Sequence, residues 1–552
     1  MASKSNDTDR IIVRYRSLAS TTGTSATTDA ARTSRVQTLS TAIGESLTFV
    51  RQMDGGAYVL RLAERKPMST ARALAQRLMT SADVAYAEPD ALAFPMLLPN
   101  DALFANQWNL LTPDSTALSI NLPQAWEMTT GAPNLTIAII DTGVLNHADL
   151  AGRTVPGYDF ISDAQVGNDG DTRDANPADP GDWVTSAESA SGYFAGCQPR
   201  NSTWHGTHIA GIVGANGNNG IGVAGVNWTS KLLPVRVLGK CGGYLSDIAD
   251  GIRWAAGLSV AGAPVNANPA RVINMSLGGD GSCSPIYQDA INAATNAGAV
   301  VVVAAGNSNA DVSAVQPANC DNVVAVASTD RSGNRASYSS FGSGVDVAAP
   351  GGDSGGSTTM ILSTLNTGTT SPVADAYAYY RGTSMAAPQV AGIISLMLSE
   401  KPSLTPAQIL TLLRGSASGF PAGSTCTILI CGAGVSNGEA AVQAASAFGA
   451  ATPVPTPVPT ETATATSTLA PPPTPTRTPL PIATVKPGAT QVPTQVPLPG
   501  PTATPHSGPL APTSTPLPPS PTPASTSTPA PEPTRTTSQP VGVQVYLPVL
   551  VR

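Results

Sequence analysis

Five short segments, LTIAIID, LLPVRVL, ARVINMSLGG, AVVVVAAGN and NVVAVAS, are apolar at nearly every position, and stretches rich in small residues separate them. Side chains alternate between the two faces of a strand, so a strand that is apolar without alternation has to bury both faces. Strands of that kind belong to parallel sheets covered by helices on either side. The spacing therefore predicts an α/β domain with a mainly parallel sheet in three layers, starting near Asn100.

Composition divides the rest of the chain. Residues 1–98 contain the β-type runs RIIVRYR, AYVLRL and VAYAEPD and one amphipathic helical pattern, STARALAQRLMTS, which predicts a small α+β unit. Residues 99–449 hold the α/β pattern. From 450 to 540 the chain becomes Pro/Thr/Ser-rich, a composition that cannot bury enough apolar surface to offset chain entropy, and a disordered tether is expected. The final segment, 541–552, regains apolar β-type residues and reads as a short terminal strand.

A net charge of −7 with 12% charged residues and no Lys/Arg cluster gives no footprint for nucleic acid or an anionic membrane. No apolar run has the length of a transmembrane helix, and MASKSNDTDR lacks the apolar stretch of a signal peptide. A soluble monomer is expected. All six cysteines lie between Cys197 and Cys431, an even and confined set that suggests disulfides and an oxidising compartment; fifteen pairings are open.

Four segments carry chemistry. Asp141 ends the apolar run IAIID, where a carboxylate is held rigidly and can orient an imidazole. WHGTHIAG places His205 and His208 three residues apart at a helix start, without the His-Glu-x-x-His pattern of a catalytic metal helix. His205 is the proton-transfer candidate, and His208 is read as structural. In RGTSMAAP, Ser384 stands at the start of a small-residue helix, where free N–H groups and the helix dipole can support an oxyanion. VVVVAAGN ends in Asn307, which can offer an uncharged amide donor to a cleft.

DTG, HGTHIAG, NMSLGG, AAGN and GTSMAAP together resemble the subtilisin-like serine proteases, the subtilase family, over roughly residues 100 to 447. The resemblance implies that Asp141 holds His205, that His205 takes the proton of Ser384, and that Asn307 and the Ser384 N–H bind the oxyanion. It implies that Ser276, Leu277, Gly278, Gly279, Ala305 and Gly306 contact the substrate, a protein or peptide laid along an edge strand. It implies structural calcium at Asp149 and Asn219, and the carboxylates Asp169, Asp171, Asp174 and Asp179 of an acidic insertion are candidates for a second ion. A disulfide-containing secreted branch of the family suggests the pairs Cys197–Cys241, Cys283–Cys320 and Cys426–Cys431. Residues 1–98 would then be a propeptide that inhibits and assists folding, cut between Asp90 and Asp101, and the mature protein would be secreted or held at the cell surface. Two rival readings are a catalytically silent surface binding protein on the same scaffold and a metalloprotease.

Overall fold

The computed structural model describes residues 7–16, 29–92, 98–114 and 116–449. The Pro/Thr/Ser-rich stretch 450–540, the terminal segment 541–552 and residues 93–97 lie outside the described residues.

The N-terminal unit is a four-stranded antiparallel sheet in the order Leu47–Gln52, Tyr58–Lys66, Thr8–Tyr15, Val84–Pro89. Two helices, Asp29–Ile43 and Met68–Leu78, cover it, and the unit has its own core around Ile11, Leu39, Leu60 and Leu78. The helix Asp29–Ile43 carries little apolar signal in sequence. The helix buries only Val36, Leu39 and Ile43, while its hydroxyls fold back on its own carbonyls, Thr38 to Ser34 and Ser40 to Val36.

From Thr136 on, seven strands form one sheet in the order Val347–Pro350, Val323–Thr329, Val300–Ala304, Val272–Met275, Thr136–Asp141, Lys231–Arg236, Tyr158–Asp159. All six neighbouring pairs are parallel. Alternation explains the unbroken apolar runs. Ile137, Ile139, Val300 and Val302 point into a core shared with the helices His205–Gly214 and Thr383–Glu400. Ala138, Ile140, Val301 and Val303 point into a second core with Leu245–Ala255 and Pro285–Asn296. Each fully buried Val or Ile of this kind stabilises the fold by roughly 1.5–3 kcal/mol.

Three disulfides, Cys197–Cys241, Cys283–Cys320 and Cys426–Cys431, account for all six cysteines. The first two join segments 44 and 37 residues apart, and the third closes a short turn whose two cysteines are buried. Among the described residues, no helix is long and apolar enough to cross a membrane.

Candidate active site

Asp141 ends its strand fully buried, in the sheet's interior, with Lys231–Arg236 on one side and Val272–Met275 on the other. Its Oδ1 accepts the N–H of Thr142 at 2.8 Å and stands 2.7 Å from His205 Nδ1. Burial works to lower the His205 pKa, but the charge and hydrogen bond of Asp141 outweigh it, so the imidazole is held above its usual value. With Nδ1 committed to Asp141, Nε2 is the nitrogen left for proton transfer.

Local backbone sets this contact. Trp204, the residue before the helix, adopts a left-handed conformation at φ 50°, uncommon for a bulky residue, and its indole N–H is anchored to the Gly368 carbonyl at 2.8 Å. Gly206 allows the helix start to lie against the Asp141 loop: a Cβ there would sit 2.2 Å from the Gly143 carbonyl oxygen. His208 is wholly buried, stacked on Tyr380 at 4.5 Å, and donates through Nε2 to the Ala378 carbonyl. Burial pushes its pKa down to about 3, as suits a neutral structural histidine.

Ser384 is the second residue of the helix Thr383–Glu400. Its hydroxyl donates to the Ser276 carbonyl at 3.2 Å, and the Ser276 hydroxyl donates to the Ser384 carbonyl at 2.8 Å. Asn307 Oδ1 accepts both the N–H and the hydroxyl of Thr383, at 2.9 and 2.8 Å. Its amide nitrogen is thereby the end free to donate, and Asn307 and Ser384 border one cavity of about 40 Å³. Neither Thr383 nor Ser276 stood out as an orienting residue in the sequence, because such a role depends on segments about a hundred residues apart.

Leu277, Gly278, Gly279 and Gly306 line that cavity, and Ser276 reaches it through Ser384. Ala305 is a correction. Its side chain is wholly buried in the core on the far side of the sheet, and Ala304 borders the cavity instead. The reason is strand alternation, which turns successive side chains to opposite faces.

The acidic insertion is a second correction. Asp169 pairs with the buried guanidinium of Arg236, together with Asp159. Asp174 accepts the N–H of Asn176 and is bridged through its backbone to Asp159, while Asp171 stays exposed. Asp179 turns away to accept the Thr142 hydroxyl at 2.6 Å and the Gly181 N–H at 2.9 Å. Asp169, Asp174 and Asp179 thus have partners of their own, and no group of three or more His, Cys, Asp or Glu among the described residues could hold a metal ion. Asp182, in the same insertion, accepts the N–H and hydroxyl of Thr203 and pairs with Arg200 at 2.9 Å; its charge favours the protonated form of His205 and that of Arg200 opposes it.

Asp149 and Asn219 do meet. Asp149 is fully buried; its Oδ1 accepts from Asn219 at 2.8 Å, and its Oδ2 accepts from the Val223 N–H at 2.9 Å. Burial raises its pKa, and the charge of Asp101 raises it further. Asp101 Oδ1 is itself buried without a hydrogen-bond partner. Two buried carboxylates, one with an orphaned oxygen, form a hard-oxygen donor set that fits calcium. Asp101 was not singled out in the sequence, since it lies some fifty residues before Asp149 and outside any motif.

A model described as the subtilase family matches residues 132–449. An extracellular protease of Xanthomonas campestris pv. campestris is 48% identical over 400 residues, which cover 72% of this chain and 66% of that protein. An extracellular basic protease of Dichelobacter nodosus is 42% identical over 381 residues, covering 68% of this chain and 61% of that protein. The chain thus spans less than two thirds of the length of either curated relative. Among solved structures, proteases from Pseudoalteromonas arctica PAMC 21717 superpose with a TM-score of 0.59 at 51% identity, covering 63% of this chain and 99% of that one.

Proposed function

Since the chain belongs to the subtilase family, we propose that it is a secreted serine endopeptidase made as a self-processing precursor. The observations that carry this reading are the buried 2.7 Å contact between His205 and Asp141 and the one cavity bordered by both Ser384 and Asn307. A turn-forming or capping aspartate would have no need of an imidazole partner in the interior.

In the proposed reaction the Ser384 hydroxyl leaves the Ser276 carbonyl and gives its proton to His205 Nε2 as Oγ attacks the substrate carbonyl carbon. Catalytic hydrogen bonds of this sort commonly tighten only when substrate is bound. The carbonyl oxygen gains the negative charge and accepts from the Asn307 amide and the Ser384 N–H, aided by the dipole of the Thr383–Glu400 helix. His205 then protonates the leaving amine, the peptide C–N bond breaks, and an acyl group remains on Oγ. Water, deprotonated by His205, releases the acid and restores Ser384. Asp141 orients Nδ1–H and stabilises the imidazolium throughout.

Residues 1–98 act as the propeptide and are cut between Asp90 and Asp101, a range that includes 93–97 outside the described residues. The stretch 450–540 serves as a tether and 541–552 as its end. Calcium, when bound, is held by Asp149, Asp101 and Asn219; it neutralises the two buried carboxylates and supplies stability, with no part in the chemistry.

Fluorophosphonate labelling of the wild type and of Ser384→Ala, with peptide mapping, tests the proposal. Label on Ser384 in the wild type, and an unlabelled, full-length Ser384→Ala chain, are the expected results. A folded, processed wild type that takes no label would overturn it in favour of a binding role.

A further inference from the structure

Ser384 lies in a helical turn that side chains help to hold. Pro388 has no N–H to give to the Ser384 carbonyl four residues back, and the Ser276 hydroxyl donates to that carbonyl instead, at 2.8 Å. The next carbonyl, that of Met385, accepts from the side-chain nitrogen of Gln389 at 2.9 Å. The same nitrogen also donates to the carbonyl of Pro350, which ends the strand Val347–Pro350. One residue on, the Gly351 carbonyl accepts the N–H of Gly382, two residues before Ser384. Gln389, wholly buried, thus braces the first turn of the helix against the strand end on which Gly382 rests.

With both N–H bonds of the Gln389 amide directed at these carbonyls, its Oε1 faces the other way, where it accepts from Asn109 Nδ2 at 3.1 Å. The contact fixes the Asn109 amide in turn: its nitrogen faces Gln389, and its Oδ1 is buried with no hydrogen-bond partner. A buried acceptor left unpaired costs stability, so Asn109 is a poor choice for packing alone. Asn109 belongs to residues 98–111, within and just beyond the end of the expected cleavage region. That segment is docked by Asp101, which accepts the Asn218 N–H, by Gln107, bonded in both directions to the Ala224 backbone, and by the Trp108 indole, which donates to the Met360 carbonyl. Asn109 extends the docking to the helix that carries Ser384.

We propose that Gln389 is a positioning residue for Ser384 and that Asn109 acts through it, so that the reactivity of the serine depends on the docked segment 98–111. Both side chains are buried and neither borders the cavity of Ser384 and Asn307, so they act on the helix and not on substrate. In Gln389→Met, a side chain of similar length without a donor, the Met385 and Pro350 carbonyls lose their common tie. A displacement of about 1 Å at a reacting group costs on the order of a hundredfold in rate. The inference rests on the reading of Ser384 as the nucleophile.

The test uses the full chain after maturation, with sites counted by fluorophosphonate titration so that kcat is expressed per labelled Ser384. Gln389→Met should lower both kcat and the rate constant of labelling about 10- to 100-fold, with the KM of a short peptide changed less than about twofold. Asn109→Leu should act in the same direction more weakly. The double variant should lose no more than Gln389→Met alone, because the two effects run through one amide pair. Gln389→Asn, whose shorter amide cannot reach both carbonyls, should show the same fall in kcat if the methionine variant does not fold. Folded variants with the wild-type kcat per labelled site, whatever their Tm, or losses that simply add in the double variant, would overturn the proposal and leave Ser384 as the nucleophile. A folded wild type that takes no label overturns the reading of Ser384 itself.

Discussion

The hydroxyl of Thr142 donates to the buried carboxyl of Asp179 at 2.6 Å, and the same oxygen accepts the Gly206 N–H at 3.0 Å. One side chain thereby links the residue after Asp141 to the residue after His205, so the two partners of the proposed proton relay share a common support. Thr142→Val removes both hydrogen bonds while keeping the shape. A misplacement of about 1 Å can cost on the order of a hundredfold in rate. We expect kcat to fall roughly 10- to 100-fold with KM little changed; steady-state kinetics on a short peptide would show a KM effect instead if Thr142 acted only through substrate binding.

Burial, then the nearby charge of Asp182, pushes the Asp179 carboxyl up to about 7. The unfolded chain titrates it near 3.9. The native state therefore holds the proton more tightly between these values, and the contribution of this group to stability falls as pH rises through that window. Asp179→Asn cannot titrate. Measured in a Ser384→Ala background to prevent self-digestion, its Tm relative to the parent should rise between pH 5 and pH 8, and a difference independent of pH would show that Asp179 titrates normally in the fold.

His205 must be neutral to accept the serine proton, so activity should rise with pH through its raised pKa. The acid limb of kcat/KM is expected above the unperturbed histidine value of about 6.5. Asp141→Asn removes the charge that raises it, which should move the limb downwards and lower kcat by about 10⁴-fold. A limb that stays in place in Asp141→Asn would mean that another group controls it.

Asp149 and Asp101 are two buried carboxylates whose mutual repulsion a cation would relieve. Chelation should lower the Tm while activity at room temperature persists. Asp149→Ala should have a lower Tm that no longer responds to added calcium; immediate loss of activity on chelation at a temperature well below unfolding would instead assign the metal a part in the reaction.

Much of the candidate site was legible in the sequence because its signals are local. Apolar continuity in IAIID and VVVVAA depends only on which side chains fill a strand buried on both faces, and Asp141, His205, Asn307 and Ser384 each stand at the end of such an element or at a helix start. The helix Asp29–Ile43 was not legible, since three buried apolar residues in a Thr/Ser-rich segment form a helix only when the neighbouring sheet offers them a core.

The sequence by itself determined the layered α/β fold and the identity of four chemical groups, because burial pattern and residue type are properties of short segments. The tertiary structure decided their partners. It turned Ala304 rather than Ala305 to the cavity, separated the acidic residues of the insertion, and sent Asp179 to Thr142 across 37 residues of chain. It also set the Asn109 amide against that of Gln389, 280 residues away. A carboxylate or an amide has the same chemistry everywhere in the chain, and only the elements packed around it define what it holds and, for the carboxylate, when it ionises.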